Sequence, residues 1–439
     1  MLETTINTRD DSTPPLGSAG LSLRWLFPDA TRPPVPLRQN CRIGRDPQCL
    51  VLIDGPGVSR QHAEIALEDD GFVLRDLGST NGTYLNAQSI TQAVLEPGAL
   101  LRIGNWVGLF ERGPSRMGAA LSELAPGLWG GPELAAVMDP ARRAAATDLP
   151  IVIVGETGTG KEVAARAIHG WSGRSGPFSA INCAALPEQL VEGELFGYRR
   201  GAFTGAERNH PGYFRSAQRG TLLLDEVIDL GLATQAKLLR VLQERELVPL
   251  GESVPVPIDV RIVVAAQMPL SAAVAAGRFR EDLAMRLSGL ELPLPPLRAR
   301  VGDIPALFLR FLGRDANAAV RAVEGKLIES LCSYPWSGNV RQLELLARRL
   351  IALHAAEPVL LRSHLPAEMQ TRPAPTPSAP PGEETQRDRE LTQLAALLEK
   401  HQGNMSRACT EMNISRARGY RLLGGMSVEQ LLAQRAGGR

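Results

Sequence analysis

The period of the apolar positions changes several times along the chain. From Leu21 to Arg112 the runs are short: Leu21–Phe27, Cys49–Ile53, Ala63–Leu67, Phe72–Asp76, Leu100–Ile103 and Trp106–Phe110. Gly, Pro, Asn and Asp punctuate them, a rhythm that predicts an all-β sandwich over 21–112. Over 126–300, buried-strand runs alternate with helical stretches, which predicts a parallel α/β domain. Residues 301–366 have helical spacing and predict a small lid, and 386–432 predict a small, basic, all-α module. Residues 1–20 are polar and contain Pro14-Pro15, so they read as a loose tail. Gly113-Pro114-Ser115 reads as a linker, and the Pro-rich run within 367–385 as a spacer. The fold class is therefore multidomain, with no internal repeat.

Composition narrows the classes. The 439 residues are 44% hydrophobic and 22% charged, enough for ordinary packed cores. A net charge of +1 requires any nucleic-acid surface to be local. No apolar run is long enough to span a bilayer, and Met1-Leu2-Glu3-Thr4 lacks the parts of a secretory signal. The five cysteines form no CxxC pair, so reduced structural thiols in a cytoplasmic protein without a membrane partner are expected.

The apolar run Leu149–Val154 ends in Gly155-Glu156-Thr157-Gly158-Thr159-Gly160-Lys161, and a helical stretch follows. Glycines let backbone N–H groups converge on phosphate oxygens, the helix N-terminus adds positive potential, and Lys161 reaches the outer phosphates. Glu162 stands where the general motif has the Ser or Thr that binds magnesium. Taken alone, the stretch is also consistent with a Gly-rich strand-to-helix turn. A second buried run, Thr221–Leu224, ends in Asp225-Glu226. That pair offers Asp225 for Mg2+ and Glu226 to polarise an attacking water. Together the two stretches predict an ATP site in a P-loop NTPase.

Downstream lies Gly201-Ala202-Phe203-Thr204-Gly205-Ala206, a small-residue loop with one aromatic at its tip. With it the chain resembles the bacterial enhancer-binding activators of sigma-54 RNA polymerase, a branch of the AAA+ ATPases. The resemblance runs from about Leu128 to Leu350. It includes Gly155–Glu162, Asn182–Leu186, Glu194–Gly197, Gly277–Leu283, Pro295–Arg298 and Trp336–Arg341. It implies that Gly201–Ala206 contacts the sigma factor, chiefly through Phe203 and Thr204, and that Asn182 restrains Glu226. It also implies that Arg280 and Arg286 reach a neighbouring subunit's ATP site, which requires a ring, usually a hexamer. Arg341 would be the lid arginine that senses nucleotide. Without the resemblance, surface ion pairing is the simpler reading of Arg280 and Arg286. Where the family carries Ala-Thr-Asn, this chain has Ala265-Ala266-Gln267, so the polar sensor is Gln267 and slower hydrolysis is expected.

Two further resemblances flank that domain. Gly44-Arg45, Ser59-Arg60-Gln61-His62 and Asp76–Thr83 resemble the loops of a forkhead-associated (FHA) domain, which binds phosphothreonine peptides. Carried over, Arg45, Ser59, Arg60 and Thr80 contact phosphate, Asn81 holds the peptide backbone and His62 braces the loop. Arg supplies a bidentate fork and the hydroxyls supply neutral donors. Gly403–Leu423 reads as helix-turn-helix and resembles the Fis-type DNA-binding end of the same activators. Ser406 is expected to cap the first helix and Ser415 the second, with Ala408, Ile414 and Leu422 inward. Ser415, Arg416, Arg418, Tyr420 and Arg421 are the candidates for DNA contact. Cys409 stands for the usual Ala and Asn413 for the usual Gly, and Gly419 weakens its helix by about 1 kcal/mol relative to Ala.

The expected function is a sigma-54-dependent activator that uses ATP and Mg2+. Its partners would be sigma-54 RNA polymerase, double-stranded DNA, a phosphothreonine protein and copies of itself, from dimer to ring. A phosphopeptide-regulated DNA-binding protein with a weakened ATPase is the alternative, and an AAA+ chaperone for other clients a third.

Overall fold

The computed structural model describes residues 20–68, 71–112, 121–203, 206–313, 322–370, 391, 393–401, 403–412, 414 and 416–423. The tail, most of the Pro-rich spacer, and Thr204, Gly205, Asn413 and Ser415 lie outside the described residues. One compact unit falls within Arg116–Pro366, and the other draws on Met1–Ser115 and Ala367–Arg439.

The N-terminal segment forms two packed antiparallel-rich sheets. The first runs, in spatial order, Val35–Leu37, Leu21–Phe27, Trp106–Arg112, Leu100–Ile103, Thr83–Leu85, Gln88–Ile90. The second runs Val51–Leu52, Cys41–Gly44, Ala63–Glu68, Gly71–Asp76, Gln92–Val94. Side chains from both inner faces, among them Leu23, Ile43, Ile65, Leu74 and Phe110, close the core. Trp25 meets Trp106 edge to face at 5.2 Å. The expected strand at Cys49–Ile53 shrinks to Val51–Leu52, because Cys49 N is turned onto the Asp46 carbonyl. Short strands such as Cys41–Gly44 lack enough apolar alternation to be read in advance.

The central unit is built on a parallel sheet of five strands: β1 (Ile151–Val154), β2 (Phe178–Asn182), β3 (Thr221–Asp225), β4 (Arg261–Ala266) and β5 (Leu290–Pro293). Their spatial order is β2-β3-β4-β1-β5. β1 and β4 are buried along their whole length, as continuous apolar strands covered on both faces must be. The register pairs Leu224 with Val264 and Val154 with Ala266, so β1, β3 and β4 end at one level. Ligand sites in such sheets form beyond those carboxyl ends. The lid carries helices Ile304–Leu312, Gly325–Ser333 and Asn339–His354, and a short parallel pair of strands, Ala322–Val323 with Val359–Leu360; the first residues of the expected spacer form a short helix, Ala367–Gln370.

At the C-terminus, helices Met405–Glu411 and Arg416–Leu423 pack with Leu394, Ala395 and Leu398 of the preceding helical stretch. Ala408 and Leu422 are buried, and Ile414 packs at the edge of that core. The first helix is capped by Asn404, whose side chain accepts from Arg407 N at 3.2 Å. The expected cap at Ser406 is thus corrected: the helix starts two residues earlier, which leaves Ser406 inside it. All five cysteines are buried free thiols. Among the described residues no helix is long and apolar enough to cross a membrane.

Candidate functional site

Gly155–Gly160 links the end of β1 to helix Lys161–Ser172, and the turn exists because Gly158 (φ +80°) and Gly160 (φ +103°) take left-handed conformations. Gly158 is fixed twice over, since a Cβ there would lie 2.2 Å from the Gly338 carbonyl oxygen and 3.2 Å from Arg341 Cβ. The lid therefore rests on the phosphate loop. Val340 N donates to Gly158 O at 3.0 Å, which places Arg341 beside the loop.

Three further contacts tie lid and loop together. Asn339 is buried; its Nδ2 donates to Glu156 Oε2 at 3.1 Å and Thr157 O at 3.0 Å, and its Oδ1 accepts from Leu297 N at 2.8 Å. Arg298 forks onto both Glu156 oxygens at 2.8 and 2.5 Å. Arg300, also buried, donates to Thr159 O at 3.3 Å and pairs with Asp303. Sequence reading gave these three residues no role, because nothing local marks a partner more than a hundred positions away. Only Arg298 and Asn339 lay within the matched segments, and Arg300 lay in none of them. Glu162 turns to the surface, where it pairs with Arg166 one helical turn on at 2.7 Å.

Lys161 is almost wholly buried, with Nζ 3.0 Å from Gly155 O and 3.5 Å from Glu226 Oε1. Gln267 Nε2 donates to the same Glu226 oxygen at 3.1 Å. Asn182, at the end of the adjacent β2, uses its side-chain oxygen to accept from Ala184 N at 2.9 Å. The amide that reaches Glu226 here is therefore that of Gln267. Asp225 accepts from Glu226 N at 3.0 Å, and burial pushes its carboxyl above the ordinary carboxylate range despite Lys161 nearby. A half-buried carboxylate held against its own ionisation is one that a divalent cation would stabilise, so the residues fit Mg2+.

Arg280 starts helix Glu281–Leu287 and pairs with Asp282 at 2.7 Å, half exposed. Arg286 donates to the Leu242 carbonyl at 3.1 Å. Within one chain both guanidiniums thus have local partners. The Phe203 loop is closed at its base, where Gly201 (φ +85°) donates to Ala206 O at 2.8 Å and Ala206 N to Phe203 O at 3.0 Å. Ala202 packs toward Gly251. Phe203 stays 38% exposed with its ring edge-on to Tyr198 at 4.9 Å.

In the N-terminal sandwich, Arg45, Arg60, Thr80 and Asn81 are exposed and Ser59 is half-buried. Arg45 N bonds Ser59 O at 3.2 Å, Asp46 N bonds Arg60 O at 3.0 Å, and Thr80 N donates to Ser59 Oγ at 3.2 Å. A Cβ at Gly44 would lie 2.2 Å from Arg60 O, so that close approach needs glycine. His62 braces the cluster: Nδ1 accepts from Ser59 N at 3.0 Å, which leaves the proton on Nε2, 3.2 Å from Gly82 O. Burial lowers its pKa. In the C-terminal helices Arg418 is exposed; Ser415 lies outside the described residues, as do the side chains of Arg416, Tyr420 and Arg421.

Comparison with known proteins agrees with this geometry. A sigma-54 interaction domain matches residues 130–293, an AAA+ ATPase lid domain 298–381, and an FHA domain 41–104. A crystal structure of NtrX from Brucella abortus in complex with ADP superposes with a TM-score of 0.52 at 34% identity, covering 66% of this chain and 67% of that one. The chain belongs to the sigma-54 activator family. Among curated relatives, the hydrogenase transcriptional regulatory protein HoxA of Cupriavidus necator is 40% identical over 299 residues, covering 65% of the chain and 62% of the relative. The transcriptional regulatory protein GlrR of Escherichia coli K12 is 41% identical over 296 residues, covering 66% of each. The chain thus spans somewhat under two thirds of those relatives' length. The domain described above is an AAA+ ATPase domain, and it is preceded by an FHA domain.

Proposed function

We propose that the protein is a cytoplasmic sigma-54-dependent transcriptional activator. It binds double-stranded DNA upstream of promoters through Ser415, Arg416, Arg418, Tyr420 and Arg421, and assembles from dimers into a hexameric ring. ATP hydrolysis drives remodelling of sigma-54 RNA polymerase into the open complex. A phosphothreonine protein, read by Arg45, Ser59, Arg60, Thr80 and Asn81, controls it.

The loop Gly201–Ala206 carries this reading. It is sealed at its base and presents an aromatic at its tip, and in the sequence it is bracketed by the two ends of the nucleotide site. It leaves after Asn182 and helix Glu188–Phe196, and returns through helix Gly212–Ser216 to the strand that ends in Asp225. Movement at Asp225-Glu226 therefore has a short covalent route to Phe203. In hydrolysis, the Gly155–Gly160 amides hold phosphate, Lys161 neutralises its outer oxygens and Glu226 takes the proton of the attacking water. Asp225 would hold Mg2+, which supplies further charge neutralisation on the phosphates. Arg280 and Arg286 give up their local partners to reach a neighbouring subunit's nucleotide, and Arg341 reports nucleotide to the lid.

Open-complex formation by purified sigma-54 polymerase tests this, on a template with the upstream site. Phe203→Ala and Thr204→Ala should abolish opening while ATP turnover persists; full opening by either variant would refute the mechanism. The reading with a weakened ATPase rests on Gln267 replacing asparagine. Equal turnover by the wild type and Glu226→Gln would favour it.

A further inference from the structure

At the end of the lid helix away from the phosphate loop, the chain gathers three metal-ligand side chains that the ATP site does not use. His354 ends helix Asn339–His354, and Glu357 is turned back toward it because Glu357 N donates to His354 O at 3.0 Å. The chain then passes through strand Val359–Leu360 into the turn Arg362–His364. That turn is held in place: Arg362 N donates to Glu324 Oε2 at 2.9 Å, and Leu360 and Leu365 on either side are buried. His364 is thereby returned to His354, with ring centroids 4.1 Å apart and planes 12° from parallel. One nitrogen from each ring and one Glu357 oxygen all lie within 4.8 Å of one another.

Two imidazoles and one carboxylate are the donor set of a first-row transition ion such as Zn2+, whereas Mg2+ and Ca2+ take oxygen ligands. Tetrahedral Zn2+ separates its ligand atoms by about 3.4 Å. Closing the trio to that spacing, and aiming both rings at one point, needs rotation about the terminal torsions, which are broad in His and Glu. A metal takes neutral imidazole, and His364 is held in that form. Its Nδ1 accepts from Leu361 N at 3.2 Å, which leaves the proton on Nε2 and a lone pair on Nδ1. Coordination would draw that lone pair from a hydrogen bond at the long end of the range, at an exposed residue. Among the described residues, neither the His354 ring nor the Glu357 carboxylate has a hydrogen-bond or ion-pair partner. The carbonyl end of the helix adds negative potential at the same place.

We propose that His354, Glu357 and His364 bind one transition-metal ion of the Zn2+ class, with water completing its shell. The helix has 16 residues, so it is about 24 Å long at 1.5 Å per residue, and the ion sits too far from Asn339 to act on a nucleotide. Its effect is structural. It ties the last turn of the helix that carries Asn339 and Arg341 to the turn that follows, and so stiffens the lid.

The test is calorimetric titration with Zn2+ of the full chain, free of any histidine tag, stripped with a chelator and kept in excess Mg2+. One Zn2+ per chain should bind with micromolar affinity or better. At about 100 times its Kd it should raise the melting temperature by about 5 °C or more. His354→Ala and His364→Ala should each weaken binding at least about tenfold and remove the melting shift. Glu357→Gln, at an exposed position, should weaken it similarly and carries the test should a histidine variant fail to fold. Absence of saturable Zn2+ binding by the wild type would overturn the proposal. Unchanged binding in the His354→Ala/His364→Ala pair would do the same, as would displacement by equimolar Mg2+, which marks an oxygen site. None of these readouts depends on ATP turnover, so their failure leaves the proposed function standing.

Discussion

Asn339 Nδ2 lies 3.1 Å from Glu156 Oε2, a bond between the first turn of a lid helix and the second residue of the phosphate loop. The same amide also holds Thr157 O and Leu297 N, so one buried side chain sets the lid against the loop. Hydrogen bonds from Arg298 and then Asn339 hold the Glu156 carboxyl below its ordinary range even though burial opposes them. Asn339→Ala would leave the buried Leu297 N–H without its partner, at a cost of about 1–3 kcal/mol, and would also release the Thr157 carbonyl and one Glu156 oxygen. We expect ADP affinity, measured by calorimetry, to fall at least about tenfold. Arg298→Ala should cost less, because that pair is about half exposed and solvent screens it. Equal effects from the two variants would mean that the lid is held by charge rather than by the buried amide.

Asp225 predicts a trade of stability for function. Burial raises its folded-state pKa above the unfolded value, so its ionised form opposes folding. The penalty is absent at pH below the unfolded carboxylate value and grows as pH rises through the folded one. Asp225→Asn should therefore melt at a higher temperature than wild type at neutral pH. The difference should shrink as pH approaches about 4. The same variant should lose Mg2+-dependent turnover and the thermal shift that Mg2+ with ATP gives the wild type. A variant with lower melting temperature at pH 7 would show that Asp225 serves as a structural acceptor instead.

How much of this was readable in advance followed from sequence distance. The phosphate loop is seven consecutive residues after a buried strand, and Asp225-Glu226 ends another, so local pattern sufficed for both. The Arg298–Glu156 and Asn339–Glu156 contacts span 142 and 183 positions, and no periodicity encodes them. The sandwich was recognisable from its long strands, but Val35–Leu37 and Thr83–Leu85 are three residues each, too short for alternation to register. Asn404 and Ser406 are both good cap residues two positions apart; only the backbone, extended at Asn404, decides between them.

His62 gives the FHA domain an acid limit. Desolvation lowers its pKa in the folded state, so the native sandwich keeps it neutral while the unfolded chain binds a proton below about pH 6.5. Its contribution is complete above that value and is lost as pH falls. Protonation also removes the Nδ1 acceptor that Ser59 N uses. We expect hydrogen-exchange protection of the Ser59 and Gly82 region to fall between pH 7.5 and pH 5.5, once corrected for intrinsic rates. His62→Ala should show low protection at both values. Protection in the wild type that does not change with pH would remove His62 from this role.

Cys409 and Gly419 face one another across the two C-terminal helices. A Cβ at Gly419 would lie 2.4 Å from Cys409 Sγ and 3.1 Å from Met405 Sδ, and Cys409 is buried. By helix propensity alone Gly419→Ala should stabilise by about 1 kcal/mol. The geometry opposes this, because overpacking in a close-packed site costs about 1–3 kcal/mol. The two residues are therefore matched: a thiol on one helix is accommodated by a missing side chain on the other. Gly419→Ala should lower the melting temperature of the full chain's C-terminal transition and weaken DNA binding. Cys409→Ala alone should weaken packing slightly by leaving a gap. Combined, the substitutions should recover at least wild-type stability, since the new methyl enters the space the sulfur left and the helix regains its propensity. That coupling has the opposite sign to two independent losses and is measured by a double-mutant cycle. Additive losses would show that Gly419 is tolerated for some reason other than Cys409.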